Sequence, residues 1–258
     1  MTDPPWLGLE AHTPDSYSFE LGASHARFDS QFYGGAGLAA LTNTLARRSG
    51  RHPLWVTAQF VSSAQIGERV DCSVEVLAEG RSTTQARMTA MVGDRILLAG
   101  LGAAGAARPD GLVGNFGGMP EVTGPEDADA WGFVRPNRTE VEPFGPMLTA
   151  EFRRARGKRG ITRLWVRMKG AAQTVESIAY LADVVPAGVV TAAGRAGAGS
   201  SLDNSIRFGP PPETDWVLLD VEPYFAHNGF VHGAARVWSP DGVLLAVASQ
   251  TARALLFD

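Results

Sequence analysis

Asp183 stands in a stretch that is otherwise apolar. In ESIAYLADVVPAG, residues 176–188, Ile178, Leu181, Val184 and Val185 form the apolar face of a helix. A carboxylate beside that face either points into water, next to a kink at Pro186, or is held for chemistry. Other patterns with chemical potential fit their contexts less well. Gly100 to Gly105 spells G-x-G-x-x-G after a strand, yet AARPDG follows where a dinucleotide site needs a helix. The sequence GSSLD puts Asp203 where G-x-S-x-G requires its last glycine. His12, His25, His52, His227 and His232 contain no pair at i,i+3 or i,i+4, so no metal site is expected. The basic run RRARGKRG, with Arg153, Arg154, Arg156, Lys158 and Arg159, is either a solvated hairpin or a landing site for phosphates.

The whole chain sets the frame for these residues. It has 258 residues, 45% apolar and 19% charged, with a net charge of −4, which is ordinary globular composition. No global basic field exists to attract nucleic acid or an anionic membrane. The N-terminus MTDPPWLGLE has neither a cationic nor an apolar signal region, and no long apolar run predicts membrane insertion. Cys72 is the single cysteine, which excludes an internal disulfide and points to a cytoplasmic protein. Its mid-strand position reads as core rather than nucleophile.

The elements that position Asp183 repeat. A helix at about 34–49 is followed by four alternating strands, PLWVTAQFV, RVDCSVEVLA, STTQARMTAMV and DRILLAGLG. A second helix at about 175–190 is followed by SSLDNSIRF, DWVLLDVEPYF, GFVHGAARVW and GVLLAVASQTARAL. Short strands precede each helix: YSFELG and HARFDS in the first half, LTAEFRR and TRLWVRMKG in the second. Phe60 overlays Phe208, and the Gly93-Asp94 turn overlays Asp241-Gly242, both at an offset of 148. Two copies of a helix wrapped by an antiparallel meander describe an α+β double hotdog, whose sheets can join edge to edge and hide their edges. The expected units are residues 1–107 and 139–258, joined by a linker at 108–138 rich in Pro, Gly and acid.

The overlay also separates upkeep of the fold from function. Asp183 falls on Gly35, Ser201 on Pro53 and Gln250 on Gly102. Three polar side chains belong to the second copy alone, so the repeated unit does not require them.

With those residues placed, the chain resembles the acyl-CoA thioesterase II family. FYGGAGLAAL resembles its aromatic-Gly-Gly helix signature, and QFVSSAQIGERVDCSVEVLAEGRSTTQARM its strand–strand segment. YLAD resembles the family's Tyr-x-x-Asp, SLDNSIRF its [Ser/Thr]-[Leu/Ile]-Asp-His-Ser stretch, and ASQ its final glutamine segment. The resemblance implies a thioester hydrolase in which Asp183, Ser201 and Gln250 orient the attacking water. Asn204 departs from the family's His, and Thr251-Ala252 from its Glu-Gly.

The expected reaction is hydrolysis of a fatty acyl-CoA to free acid and CoA, with CoA as substrate and no retained cofactor. Tyr33, Gly34 and Gly35 are expected at the substrate and oxyanion position, because glycine permits close approach. Arg153, Arg154 and Arg156 are the candidate contacts for CoA phosphates. A homo-oligomer is expected. A hotdog that binds acyl thioesters with little turnover is the alternative. A hotdog enoyl-CoA hydratase fits less well, because no Gly-Asp-x-Asn-Pro-x-His run occurs.

Overall fold

Strict alternation builds the strands. In RVDCSVEV, Val70, Cys72 and Val74 are buried while Arg69, Asp71, Ser73 and Glu75 face water. The computed structural model describes residues 4–108, 110–132, 144–156 and 161–257. The first half contains β1 (Glu10–Thr13), β2 (Ser16–Glu20), α1 (Gly34–Ser49), β3 (His52–Phe60), β4 (Arg69–Glu79), β5 (Thr83–Val92) and β6 (Arg95–Gly105). After it come β7 (Asp129–Ala130), α2 (Gly145–Thr149), β8 (Ala150–Arg154), β9 (Thr162–Met168), α3 (Val175–Leu181) and α4 (Val185–Ala192). The second meander is β10 (Gly197–Phe208), β11 (Trp216–His227), β12 (Phe230–Trp238) and β13 (Leu244–Leu256).

Among the described residues the strands form one thirteen-stranded antiparallel sheet in the order β1-β2-β4-β5-β6-β3-β10-β13-β12-β11-β9-β8-β7. The order reads the same from either side of the β3–β10 pair, apart from the added β7. That pair joins the two halves edge to edge. Thr57 and Ser205, which the repeat relates, are direct register partners with hydroxyl oxygens 2.6 Å apart. Equivalent residues of two copies can touch only near the axis that relates them. The β3–β10 seam is therefore a pseudo-twofold axis, and each half is a hotdog.

Both hotdog helices lie inside the curve of the sheet. Every residue of α1 from Gly34 to Ala46 is buried, because its Gly, Ala and Leu side chains let strands and α3 approach from all sides. Gly50, at φ 63°, ends it in the left-handed region. The second helix differs from the single element expected at about 175–190. It breaks into α3, a 3₁₀ turn at Ala182–Val184, and α4. Pro186 occupies the first turn of α4, where its missing N–H costs nothing but where α3 cannot run straight through. By length and composition Val175–Ala192 could cross a membrane, but 72% of that span is buried within the fold.

HARFDS, expected as a strand, is a 3₁₀ turn at Ala23–His25 followed by a single bridge between Ala26 and Phe32. The segment after β6 is largely irregular and packs on the outer face of the second half. There Met119 and Val122 meet Trp165, Trp216 and Trp238, and Trp165 Nε1 donates to the Thr123 carbonyl at 2.7 Å.

Candidate active site

The break between α3 and α4 carries Asp183. Its backbone (φ −78°, ψ 17°) leaves the helical region and turns the side chain toward the start of α1. The residue is only 8% exposed, so the carboxylate does not point into water. Its Oδ2 accepts the Gly35 N–H at 2.9 Å. Its Oδ1 accepts the Ser201 hydroxyl at 3.3 Å and the Gln250 amide N–H. The Gln250 amide also donates to Ser201 Oγ at 2.8 Å, which closes a triangle. The structure thus brings together the three polar residues that the repeat sets apart.

Each partner is presented by a different element. Gln250 projects inward from β13, and Ser201 from β10, just before a slip in register against β13. Gly35 lies in the first turn of α1, where N–H groups have no intrahelical acceptor and the helix dipole favours an anion. The glycine is mandatory there. A Cβ at Gly35 would stand 2.2 Å from the Tyr180 carbonyl oxygen, and one at Gly34 would stand 2.8 Å from Asp183 Oδ2. The close approach expected of the YGG turn therefore receives Asp183 and the Tyr180 backbone. Tyr33 lines the adjoining pocket, with its hydroxyl donating to the Tyr180 carbonyl at 2.9 Å.

Burial dominates the electrostatics. It pushes the Asp183 carboxyl up from 3.8 to about 6, against the opposing hydrogen bonds of Gln250, Gly35 and Ser201. An acid poised there changes charge just below neutral pH, which suits a general base. Asn204 is fully buried, opposite Gln250 in register, and neither of its amide atoms makes a direct protein hydrogen bond of good geometry. Cys72, by contrast, is a core residue of β4 whose thiol burial pushes up to about 12, so it stays protonated.

An apolar pocket of about 810 Å³, its open mouth included, reaches Asp183. Phe152 and Leu164 of β8 and β9 form one wall, and Pro186 and Thr191 of α4 another. Phe28, Trp131 and Phe144 complete it. These three come from irregular segments with no periodicity to reveal them in the sequence. Arg27 sits on the lining, paired with Asp29 at 2.7 Å and donating to the Gly199 carbonyl at 3.3 Å.

The basic run is divided. Arg153 points away from Phe152 to the outer face, where it pairs with Glu151 at 2.8 Å and Glu126 at 3.2 Å over the Trp216 ring. Arg156 pairs with Asp129 at 3.2 Å. The structure does not bring these two to the pocket. Arg154 is exposed at the end of β8, on the strand face that carries Phe152, and has no ion pair among the described residues. Lys158 and Arg159 lie outside the described residues.

Comparison with known proteins bears on the fold and the family. The acyl-CoA thioesterase N-terminal domain family matches residues 24–104, and the acyl-CoA thioesterase C-terminal domain family matches residues 117–254. A candidate thioesterase from Novosphingobium aromaticivorans superposes with a TM-score of 0.87 at 28% identity, covering 99% of this chain and 100% of its own. The tesB protein of Mycobacterium avium subsp. paratuberculosis gives 0.78 at 22% identity, over 97% and 96% of the two chains. A hot dog protein from Alicyclobacillus acidocaldarius gives 0.80 at 19% identity, over 99% and 98%. None of the curated proteins compared with the chain matches it. The chain belongs to the acyl-CoA thioesterase family, as a double-hotdog thioester hydrolase.

Proposed function

We propose that this protein hydrolyses acyl-CoA thioesters by direct attack of water, with Asp183 as general base. The observation that carries the proposal is the Asp183 carboxylate, buried at the wall of an apolar pocket and held by Gln250, Ser201 and Gly35. The acyl group fills the apolar pocket. Water attacks the thioester carbonyl carbon as Asp183 takes its proton. Ser201 and Gln250 hold the carboxylate and the water in line, so orientation is settled before reaction. The tetrahedral intermediate collapses with cleavage of the C–S bond, and the proton held by Asp183 passes to the departing thiolate. Acid and CoA are the products, and neither a metal nor a retained cofactor enters the scheme.

The developing oxyanion requires N–H donors. The Gly35 N–H is already committed to Asp183, and Gly34 in the same first turn is the residue we assign to that role. Of the three arginines considered for CoA phosphates, Arg154 fits best by exposure and strand face. We also propose that the chain assembles into a homo-oligomer, which light scattering in solution would test.

The decisive experiment is release of free thiol from acyl-CoAs of short to long chain by wild type and Asp183→Asn. Turnover that collapses in the variant supports the scheme. Absence of turnover by the wild type across the panel would favour a binding role instead. Equal turnover by both proteins removes Asp183 from the mechanism.

A further inference from the structure

Both copies of the hotdog bulge at the same place. In β3 the register against β6 slips between Pro53 and Trp55, which makes Leu54 the extra residue. In β10 the register against β13 slips between Ser201 and Asp203, which makes Leu202 the extra residue. The two leucines are counterparts, 39% and 45% exposed. Ala104 and Ala103 face the first bulge, and Ala252 and Thr251 face the second.

The second bulge aims a side chain at Asp183. Asn204 and Ile206 of β10 point inward. Unbroken alternation would carry Leu202 inward and Ser201 out to the far face. The one-residue slip reverses this and brings Ser201 Oγ to Asp183. A bulge also breaks the hydrogen-bond ladder and leaves a backbone group to be satisfied. In the first copy the residue before the extra leucine is Pro53, which has a fixed φ and no N–H to lose. The second copy has serine there, so that stiffening is gone. In its place the Asp203 carboxylate Oδ1 accepts the Thr251 N–H at 3.0 Å across the bulge. Thr251 directly follows Gln250, and its hydroxyl is in turn bonded to His232 Nδ1 at 3.0 Å. The counterpart of Asp203 in the first copy is Trp55, so the bulge itself does not require a carboxylate.

We infer that Asp203 is a positioning residue. By pinning the Leu202 bulge to Thr251 it fixes Ser201 and Gln250 against Asp183, the task that Pro53 makes unnecessary in the first copy. This rests on the water-activation reading above. Asp203 lies on the strand face opposite Asn204 and is not among the residues that line the pocket.

The test compares Asp203→Ala, Asp203→Val and Asp203→Asn with wild type, in acyl-CoA thiol release, thermal unfolding and amide exchange at Thr251. Valine is a strong strand former without an acceptor, so it guards against a variant that simply folds poorly. Asparagine keeps an oxygen that can accept the Thr251 N–H. Alanine and valine are expected to lower kcat on the order of 10- to 100-fold, the scale of a misplaced catalytic group. KM should stay within about twofold, since substrate binding is not what is lost. The Thr251 amide should exchange faster in both, while asparagine restores kcat and protection. Wild-type kcat in the alanine and valine variants would overturn the inference, as would an equal loss in the asparagine variant. Asp183→Asn run beside them separates the two readings. If it keeps full activity, the water-activation scheme fails. If it is inactive while Asp203→Ala is unimpaired, the positioning role alone fails.

Discussion

Replacing Asp183 by asparagine should abolish turnover and at the same time stabilise the protein, by an amount that depends on pH. Burial raises the carboxyl from 3.8 to about 6 in the folded state. A raised acid favours folding while it is protonated. Its contribution is fully present below the unfolded value of 3.8 and is lost as pH climbs through about 6. The shift of about two units at about 1.4 kcal/mol each makes the ionised residue cost about 3 kcal/mol at neutral pH. Asparagine is nearly isosteric and carries no charge to desolvate. The Gln250 amide can turn its Oε1, which has no partner, toward the new NH₂ group. Wild type and variant should therefore unfold alike near pH 4 and diverge between pH 4 and 7. Above that the variant should lead by about 3 kcal/mol, or on the order of 6–12 °C for a chain of this size. Thermal unfolding followed by circular dichroism from pH 4 to 8.5 measures the gap. Over the same range kcat/KM of wild type should rise with unit slope through about 6 and then level, because the free enzyme's base must be ionised. A gap that is constant with pH, or a variant less stable than wild type at pH 8, would refute the argument that desolvation sets this group's ionisation.

Three other outcomes follow from the geometry. Gly35→Ala should lower stability by about 3 kcal/mol in thermal unfolding, because its Cβ would meet the rigid Tyr180 carbonyl, and it should cost activity by displacing Asp183. Arg154→Glu should raise KM for acyl-CoA more than it changes kcat. Arg153→Gln, whose guanidinium is taken by Glu151 and Glu126, should leave KM near wild type in the same steady-state assay. A non-hydrolysable acyl-CoA thioether should bind Asp183→Asn with one molecule per chain in titration calorimetry, and two per chain would show that the first copy retains a site.

Much of this arrangement was legible in the residues, and the exceptions have physical causes. Strands such as β4 and β13 announce themselves because alternation at period two is a local property of a sheet with one buried face. The repeat was legible for the same reason, and it isolated Asp183, Ser201 and Gln250 as unneeded by the fold. HARFDS misled because two apolar residues in alternation, Ala26 and Phe28, suffice for a strand pattern, whereas its conformation is fixed by the bond between His25 and the Trp6 carbonyl and by Phe19 packed against His25 and Phe32. Asp183 was visible as an acid beside the Pro186 kink, but that the break turns its carboxylate onto the Gly35 N–H of α1 is a tertiary contact that no local pattern carries. The arginine run illustrates the limit most plainly. Four of its five basic residues within seven positions are arginine, yet what Arg153 and Arg156 do is decided by Glu126 and Asp129, more than twenty residues away. The bulge at Leu202 left no trace in the pattern, since a one-residue slip changes which face a side chain takes without changing the sequence that carries it.

The asymmetry of the site follows from where it sits. Asp183 and Gly35 are counterparts in the repeat, and they touch: the Gly35 N–H binds the Asp183 carboxylate. On a pseudo-twofold axis a residue's neighbour is its own equivalent. Two identical copies with aspartate at this point would hold two carboxylates against each other in a buried place, where both cannot ionise without a large cost. They would also need side chains at a position where even a Cβ collides with the Tyr180 carbonyl. Joining the copies in one chain removes the constraint, because the two positions can then differ. One becomes the acid and the other the glycine whose N–H receives it. Pro53 and Ser201 divide in the same way, as do Gly102 and Gln250, each pair offering rigidity or closeness on one side and a polar group on the other. The first copy is thus better regarded as half of the candidate site than as a spare one, since its helix N-terminus joins Gln250 and Ser201 in holding the buried, ionisable Asp183.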